Sequence, residues 1–95
     1  MITDLLKFTI SEECIEDAIV LMRAQMKNNL SDKGCLTSKT FRSKTNPNEL
    51  FLLLVWENQE SIDNHLKTDH DKKFRENLDP MLAGPPEFYD WEEIA

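Results

Sequence analysis

The amino-acid sequence predicts an α+β fold, a ferredoxin-like β-α-β-β-α-β unit whose helices cover one face of a four-stranded antiparallel sheet. Three observations support this prediction. The chain has 95 residues, which is enough for a single domain over residues 1–95 and too few for two. Extended and helical segments follow one another in the order strand, helix, strand, strand, helices, strand. One extended segment is apolar on both of its faces, so both faces need cover.

The first strand is predicted from Ile2 to Ile10, where strongly and weakly apolar positions alternate. Ser11 offers an N-cap oxygen for the helix that follows, and the acidic residues after it suit the positive end of the helix dipole. That helix is predicted to end near residue 30, before a run of Asn, Asp and Gly. Its apolar positions recur every three or four residues and form one stripe: Ile15, Ala18, Ile19, Met22, Met26 and Leu30.

The middle of the chain predicts a β-hairpin. Cys35 to Ser43 is rich in residues that favour strands, and a turn containing Pro and Asn connects it to the returning strand, Leu50 to Trp56. The returning strand is apolar on both pleats, whereas the helices can cover only one face of the sheet. A second copy of the chain is expected to cover the other face, so we predict a homodimer.

The last third of the chain predicts two short helices and a final strand. Asn58 is placed to cap a helix that runs through Leu66, and Asp69 to cap a second helix. A turn rich in Pro and Gly then leads into the last strand, predicted from Glu87 to Ile94.

The charge of the chain argues against nucleic acid as a partner. Eleven basic residues against eighteen acidic ones give a net charge of −7, which repels a phosphate backbone. The longest apolar run, Leu50 to Trp56, is far shorter than the roughly 20 residues that span a bilayer, so no membrane segment is predicted. The N-terminus lacks the pattern of a signal peptide, so a cytoplasmic location is expected. Cys14 and Cys35 are then expected to be reduced and buried, and a disulfide between them is the less favoured alternative.

Short motifs along nearly the whole chain point to a family. They are Gly34-Cys35-Leu36, Phe41-Arg42-Ser43, Asn46-Pro47-Asn48, Trp56-Glu57-Asn58-Gln59-Glu60-Ser61, His65-Leu66, His70 and Leu82-Ala83-Gly84-Pro85-Pro86-Glu87. Together they resemble the antibiotic biosynthesis monooxygenase (ABM) domain family. The resemblance implies a dimeric α/β barrel, in which two ferredoxin-like units pack sheet against sheet and each subunit holds a pocket between its sheet and helices.

The same resemblance implies a range of activities. Several members of the family oxidise phenols, anthrones or quinols with O2 and without metal or flavin, while others degrade haem or isomerise small signalling sugars. The first strand offers no Asn of the kind that haem-degrading members use, which argues against that activity. Ser38 and Thr40 also stand where the family often has Tyr and a larger aliphatic residue.

Histidine is the residue type that suits the base in a cofactor-free oxygenation. The substrate must be ionised before it can pass an electron to O2, and His accepts a proton near neutral pH. His65 shares a helix side with Ile62 and Leu66, and His70 shares one with Phe74, so either could line a cavity. The alternative is that each His packs structurally at a helix end.

A metal site is not predicted from these two residues, and no cofactor is expected. Five positions apart on a continuous helix, His65 and His70 would lie about 140° apart around the axis, too far to chelate one ion. A break near Thr68 could change this, but no third ligand stands out from scattered carboxylates such as Asp63, Asp69 and Asp71.

Substrate contacts are predicted from two strands. Trp56 shares a pleat with Leu52 and Leu54, and the resemblance assigns this row to the pocket, where the indole could stack on a flat aromatic ligand. Lys7 on the first strand could stabilise a phenolate. The alternatives are an ordinary core Trp and a solvated Lys.

The function expected from the sequence is that of a cofactor-independent monooxygenase of a small aromatic phenol, anthrone or quinol. Two alternatives remain at this point. One is a non-catalytic dimer that binds a small ligand or serves a stress response, and the other is an isomerase of a small hydroxy-carbonyl compound.

Overall fold

The computed structural model describes residues 1–95 and confirms the α+β ferredoxin-like fold. The elements are β1 (Ile2–Thr9), α1 (Ile15–Ser31), β2 (Cys35–Arg42), β3 (Glu49–Trp56), α2 (Gln59–Leu66), α3 (Asp69–Leu78) and β4 (Glu87–Glu92). Short 3-10 turns precede α1 and follow α3. The four strands lie in the order β2-β3-β1-β4, and every neighbouring pair is antiparallel.

The two faces of the sheet differ sharply in burial. On β3 the positions Leu50, Leu52, Leu54 and Trp56 are buried beneath the helices and form the centre of the core. We call this the inner face. The alternating positions of β3 are only half-buried and belong to the opposite face, which we call the outer face.

In the second half of helix α1, the side chains buried against the sheet are not the apolar ones that the sequence predicted. Its first half buries apolar side chains as expected, but Gln25 and Asn29 are buried where the prediction placed Met26 and Leu30. Leu30 is exposed and Met26 is only partly buried. The buried amides are tolerated because they bond each other: Gln25 Nε2 donates to Asn29 Oδ1 at 2.9 Å.

The helix starts follow the predicted capping chemistry at one position and depart from it at two. Asn58 caps α2, accepting a hydrogen bond from the Ser61 backbone N–H. Thr68, rather than Asp69, caps α3, because its hydroxyl accepts from a backbone N–H of α3 while donating to the last turn of α2. Ser11 makes no side-chain cap, since the chain first forms a 3-10 turn there.

Strand β4 closes the sheet but is exposed along its whole length. Its register with β1 places Phe88 and Asp90 on the inner face, and Tyr89 and Trp91 on the outer face. The Tyr89 and Trp91 rings lie 5.9 Å apart and are each about half exposed. None of the helices is long and apolar enough to cross a membrane.

Candidate active site

A cavity of about 360 Å³ lies between the inner face of the sheet and helices α2 and α3. Of the 19 residues that line it, 11 are hydrophobic, and most of the others are polar or charged. The sheet contributes Asp4, Leu6, Phe8, Leu52, Leu54, Trp56 and Phe88, and α2 and α3 contribute Ile62, His65, Leu66, Asp71, Phe74, Arg75 and Leu78. The face of β3 that packs against the helices, which carries Leu52, Leu54 and Trp56, is therefore also the face that lines the cavity.

The residues predicted for the site do not all reach this cavity. Trp56, Leu52, Leu54 and His65 line it. His70 lies behind His65, with ring centroids 5.6 Å apart, and does not line the wall. Lys7 belongs to the outer face, where it pairs with two glutamates.

The turn at Thr68 brings the two histidines together around Asp32, which lies just after α1. His65 Nδ1 is 2.6 Å from Asp32 Oδ2, and His70 Nε2 is 2.9 Å from both carboxylate oxygens. The separation of about 140° expected for one continuous helix therefore does not apply, because the chain breaks at Thr68, the alternative that the sequence left open. Asp32 was also missed, since nothing in its sequence context links it to residues more than thirty positions away.

The hydrogen bonds of His70 define where its proton lies. Its Nδ1 is 3.1 Å from Gln25 Nε2, an amide nitrogen that can only donate. Nδ1 must accept this bond, so the proton is on Nε2 and is donated to Asp32. The relay continues from Gln25 to Asn29 and from Asn29 Nδ2 towards Ser38 Oγ at 3.4 Å, which holds His70 in place.

The surroundings of His65 favour its charged form. Its Nδ1 is 2.6 Å from Asp32 Oδ2, and its Nε2 is 3.2 Å from Asp71 Oδ1, so each nitrogen faces a carboxylate oxygen. Burial alone would lower the pKa of His65, but the bonds to Asp71 and Asp32 outweigh it and hold the pKa above its ordinary value. Arg75 Nε lies 3.0 Å from Asp71 Oδ2, so Asp71 is placed between His65 and Arg75 on the cavity wall, whereas Asp32 does not line the cavity.

Asp32, His65 and His70 also bring one potential metal-ligand atom each to within 4.8 Å of one another. Two ligands of a tetrahedral Zn²⁺ lie about 3.3 Å apart at ordinary Zn–N and Zn–O bond lengths. The contacts here, at 2.6 and 2.9 Å, are hydrogen-bond lengths between groups of complementary donor and acceptor character. We assign the three residues to a hydrogen-bonded network.

Three buried polar atoms without a hydrogen-bond partner lie in residues that line the cavity: Asp4 Oδ1, Trp56 Nε1 and Asp71 Oδ2. Asp71 Oδ2 has only the ion-pair contact with Arg75. Trp56 is completely buried, and its ring centroid lies 4.8 Å from that of His65. Buried polar atoms are nearly always paired in folded proteins, so three around one cavity indicate a binding site for a molecule with polar groups.

Asp4 is another polar residue of this site that was not predicted from the sequence. Burial raises the pKa of Asp4 most, and the carboxyl of Asp90 directly across the strand pair raises it further, while the charge of His65 lowers it. The result is a pKa of about 7. The signal was present in the alternation of β1, because Asp4 occupies the same pleat as Leu6 and Phe8.

Comparisons with known proteins agree on the family and the fold. The family model described as "Antibiotic biosynthesis monooxygenase" matches residues 1–77, most of the chain. No curated protein sequence matches. A crystal structure of an antibiotic biosynthesis monooxygenase superposes with a TM-score of 0.93, at 16% identity and over 100% of both chains.

Two further solved structures have the same fold. A conserved protein from Methanosarcina mazei has a TM-score of 0.93 and 22% identity, over 98% of this chain and 92% of its own. Rv0793 from Mycobacterium tuberculosis has a TM-score of 0.92 and 16% identity, over 99% of this chain and 95% of its own. At these identities, the structural likeness establishes the fold.

Proposed function

Since the chain belongs to the antibiotic biosynthesis monooxygenase family, we propose that it oxygenates a small, flat phenol, anthrone or quinol with O2 and without metal or flavin. The observation that carries this proposal is an apolar cavity whose wall contains His65, held against two carboxylates, and Trp56, whose indole N–H has no hydrogen-bond partner. Family membership supports a monooxygenase-type function. The substrate class and the mechanism are our proposal.

The cavity suits one small aromatic molecule. Its volume of about 360 Å³ lies at the lower end of the range of about 300–1,000 Å³ typical of small-molecule sites. Leu52, Leu54 and Phe74 offer apolar surface to a flat ring, and the buried indole of Trp56 supplies an N–H without a hydrogen-bond partner in the cavity wall. His65 and the indole of Trp56, whose ring centroids lie 4.8 Å apart, would orient the oxygen of a ligand towards their part of the wall.

The chemistry needs an electron-rich anion and a nearby positive charge. A phenolate or enolate passes one electron to O2 and gives superoxide, and the two radicals combine to form a C–O bond in a peroxide. Loss of water from the hydroperoxide breaks the O–O bond and leaves a carbonyl, so one oxygen atom enters the product and the other leaves as water. The imidazolium of His65 stabilises both the substrate anion and the superoxide.

The base role predicted for histidine is not the one we assign to His65. Both of its nitrogens already bond carboxylates, so a proton would have to leave one of these bonds before His65 could accept another. We give His65 the role of the cation. His70 acts through Asp32 and is a positioning residue, because it does not reach the cavity.

Oxygen uptake by the purified protein tests this function. Hydroquinones, naphthols and anthrones are offered in turn, with the expectation that one class consumes O2, that turnover stops without oxygen, and that a chelator leaves it unchanged. With ¹⁸O₂, one labelled atom is expected in the product. The two tryptophans provide a matched pair of variants: Trp56→Phe should lower kcat/KM by about 3- to 10-fold through loss of one donor, and Trp91→Phe on the outer face should not. Absence of oxygen uptake with every class would end the proposal.

A second function is favoured by the presence of both Asp4 and His65 on the wall of one cavity. A carboxyl group whose pKa is about 7 and an imidazole on the same wall are also an acid and a base that can move a proton between adjacent carbons of a hydroxy-carbonyl compound. An isomerase of this kind turns over without oxygen, so the anaerobic assay separates the two functions. A binding protein without catalysis would hold a phenolic ligand and show no turnover in either assay.

A further inference from the structure

Asp4 occupies a position where a carboxyl group has no evident structural use. It lies on the inner face of β1, between Leu54 of β3 and Asp90 of β4, and its side chain is only 5% exposed. No Lys or Arg pairs with it, and its Oδ1 has no hydrogen-bond partner. An acid placed among apolar neighbours and facing another acid destabilises a fold, so its presence calls for a functional explanation.

The charged groups around the cavity act on Asp4 in opposite directions. A side-chain hydrogen bond with Asp90 on β4, together with the charge of Asp90, disfavours ionisation of Asp4, and the charge of His65 on α2 favours it. Asp71 and Arg75 on α3 and Asp79 after it complete the charged groups on the cavity wall. Burial and Asp90 prevail, which leaves Asp4 able to gain and lose a proton near neutral pH.

We propose that Asp4 is the general base of this site, which takes the proton from the hydroxyl of a substrate bound in the cavity beside Trp56 and His65. This inference rests on the proposed function and names its base. It selects substrates whose reacting group is an acidic O–H next to a flat apolar ring.

The proton balance of the reaction closes through this one carboxyl. The substrate O–H bond breaks, an O–H bond forms on Asp4, and the electron pair stays on the phenolate oxygen. After O2 has added, the neutral Asp4 gives this proton to the peroxide anion. The regenerated carboxylate removes the proton from the oxygenated carbon, the O–O bond breaks, and the leaving hydroxide takes up that proton as water.

The variant Asp4→Asn tests the proposal because it keeps the size of the side chain but cannot accept a proton. We expect kcat/KM to fall by about 10²- to 10⁴-fold, the range typical of general-base catalysis, and the inflection near neutral pH to disappear from the pH–rate profile. Asp17→Asn, the same exchange at an exposed position of α1, is the matched control and should leave both unchanged.

Proton uptake on ligand binding tests Asp4 without any turnover. At pH 8, titration with 4-nitrophenol in buffers of different ionisation enthalpy should show uptake of up to one proton per site, because the bound phenolate raises the affinity of Asp4 for a proton. Asp4→Asn should show no uptake, and Asp4→Glu should restore part of it. Circular dichroism confirms that each variant is folded.

The outcomes separate this inference from the proposed function. Wild-type turnover that is unchanged in Asp4→Asn would overturn the role of Asp4 and leave the oxygenase. Proton uptake that depends on Asp4, without oxygen consumption, would support Asp4 as a proton acceptor and end the oxygenase. Equal uptake in wild type and Asp4→Asn, or no binding of nitrophenol, would overturn the role of Asp4.

Discussion

Asp4 shows how a buried carboxyl group weakens the fold that holds it. The pKa of its carboxyl is about 7, against an ordinary 3.8, mainly because burial disfavours its charge. The folded protein therefore binds this proton more tightly than the unfolded chain does. The stability that the neutral carboxyl contributes is complete below about pH 4 and is lost as pH rises through about 7.

This linkage gives a prediction for Asp4→Asn that does not depend on activity. At pH 5 the wild type has already lost part of this stability, because its carboxyl is neutral in the folded state and mostly ionised in the unfolded chain, whereas Asn does not titrate. At pH 8 the wild type buries a charge and the variant does not, so the variant should gain about 2 kcal/mol in relative free energy of unfolding between these pH values. Urea denaturation at both pH values measures the change. A stability difference that stays constant with pH would show that Asp4 does not titrate as described.

The histidines show which part of the site could be predicted from the sequence. Residue type and the family motifs were enough to select His65 and Trp56, and both line the cavity. The raised pKa of His65 could not be predicted from the sequence, because it depends on the contacts of His65 with Asp32 and Asp71. Asp32 is 33 positions away and reaches His65 only after α1 and α2 pack at the same end of the sheet.

The ends of the strands were predicted from the sequence to within one or two residues. The buried side of α1 and the break between α2 and α3 were predicted less well. The apolar pattern of α1 favoured Met26 and Leu30 for burial, whereas the sheet buries Gln25 and Asn29. Buried amides carry no hydrophobic signal, since their presence is justified only by partners on other elements. The break at Thr68 is what allows His65 and His70 to contact the same carboxyl group, that of Asp32.

Gly34 lies directly before β2 and contacts the residue that follows β3. It has φ of +86°, and a Cβ there would lie 2.5 Å from Ser61 Cβ and closer still to its Oγ. Its carbonyl also accepts a hydrogen bond from the Glu57 N–H, so β2 and the end of β3 meet at this glycine.

Gly34→Ala should therefore destabilise the fold through backbone strain and steric overlap together. We expect a loss of about 2–3 kcal/mol, or a fall in Tm of about 10–20 °C for a domain of this size. Gly84→Ala is the matched control, because a Cβ added there would have no atom within 4 Å, and its Tm should stay within a few degrees of wild type. Equal Tm values for the two variants would contradict this account of Gly34.

The outer face of the sheet leaves many apolar side chains uncovered in the single subunit. Leu5, Phe51, Leu53 and Val55 are only half-buried there, and Tyr89 and Trp91 are exposed on β4. Helices cover the inner face alone, as the sequence predicted from a strand with two apolar faces. We propose that a second copy of the chain covers the outer face, which would give the barrel implied by the family resemblance.

The contrast between two neighbouring leucines of β3 tests this assembly. Leu53→Asp places a charge on the outer face, so it should leave the subunit folded and shift the mass in multi-angle light scattering from twice the 11.1 kDa of one chain to a single chain. Leu54→Asp buries the same charge in the core, where the side chain is 5% exposed, and should unfold the domain by circular dichroism. A wild-type protein that is monomeric at micromolar concentration, or a Leu53→Asp variant that stays dimeric, would refute the outer face as the interface. Because the cavity lies on the inner face, a folded Leu53→Asp monomer that still binds nitrophenol would also show that the site is complete within one subunit.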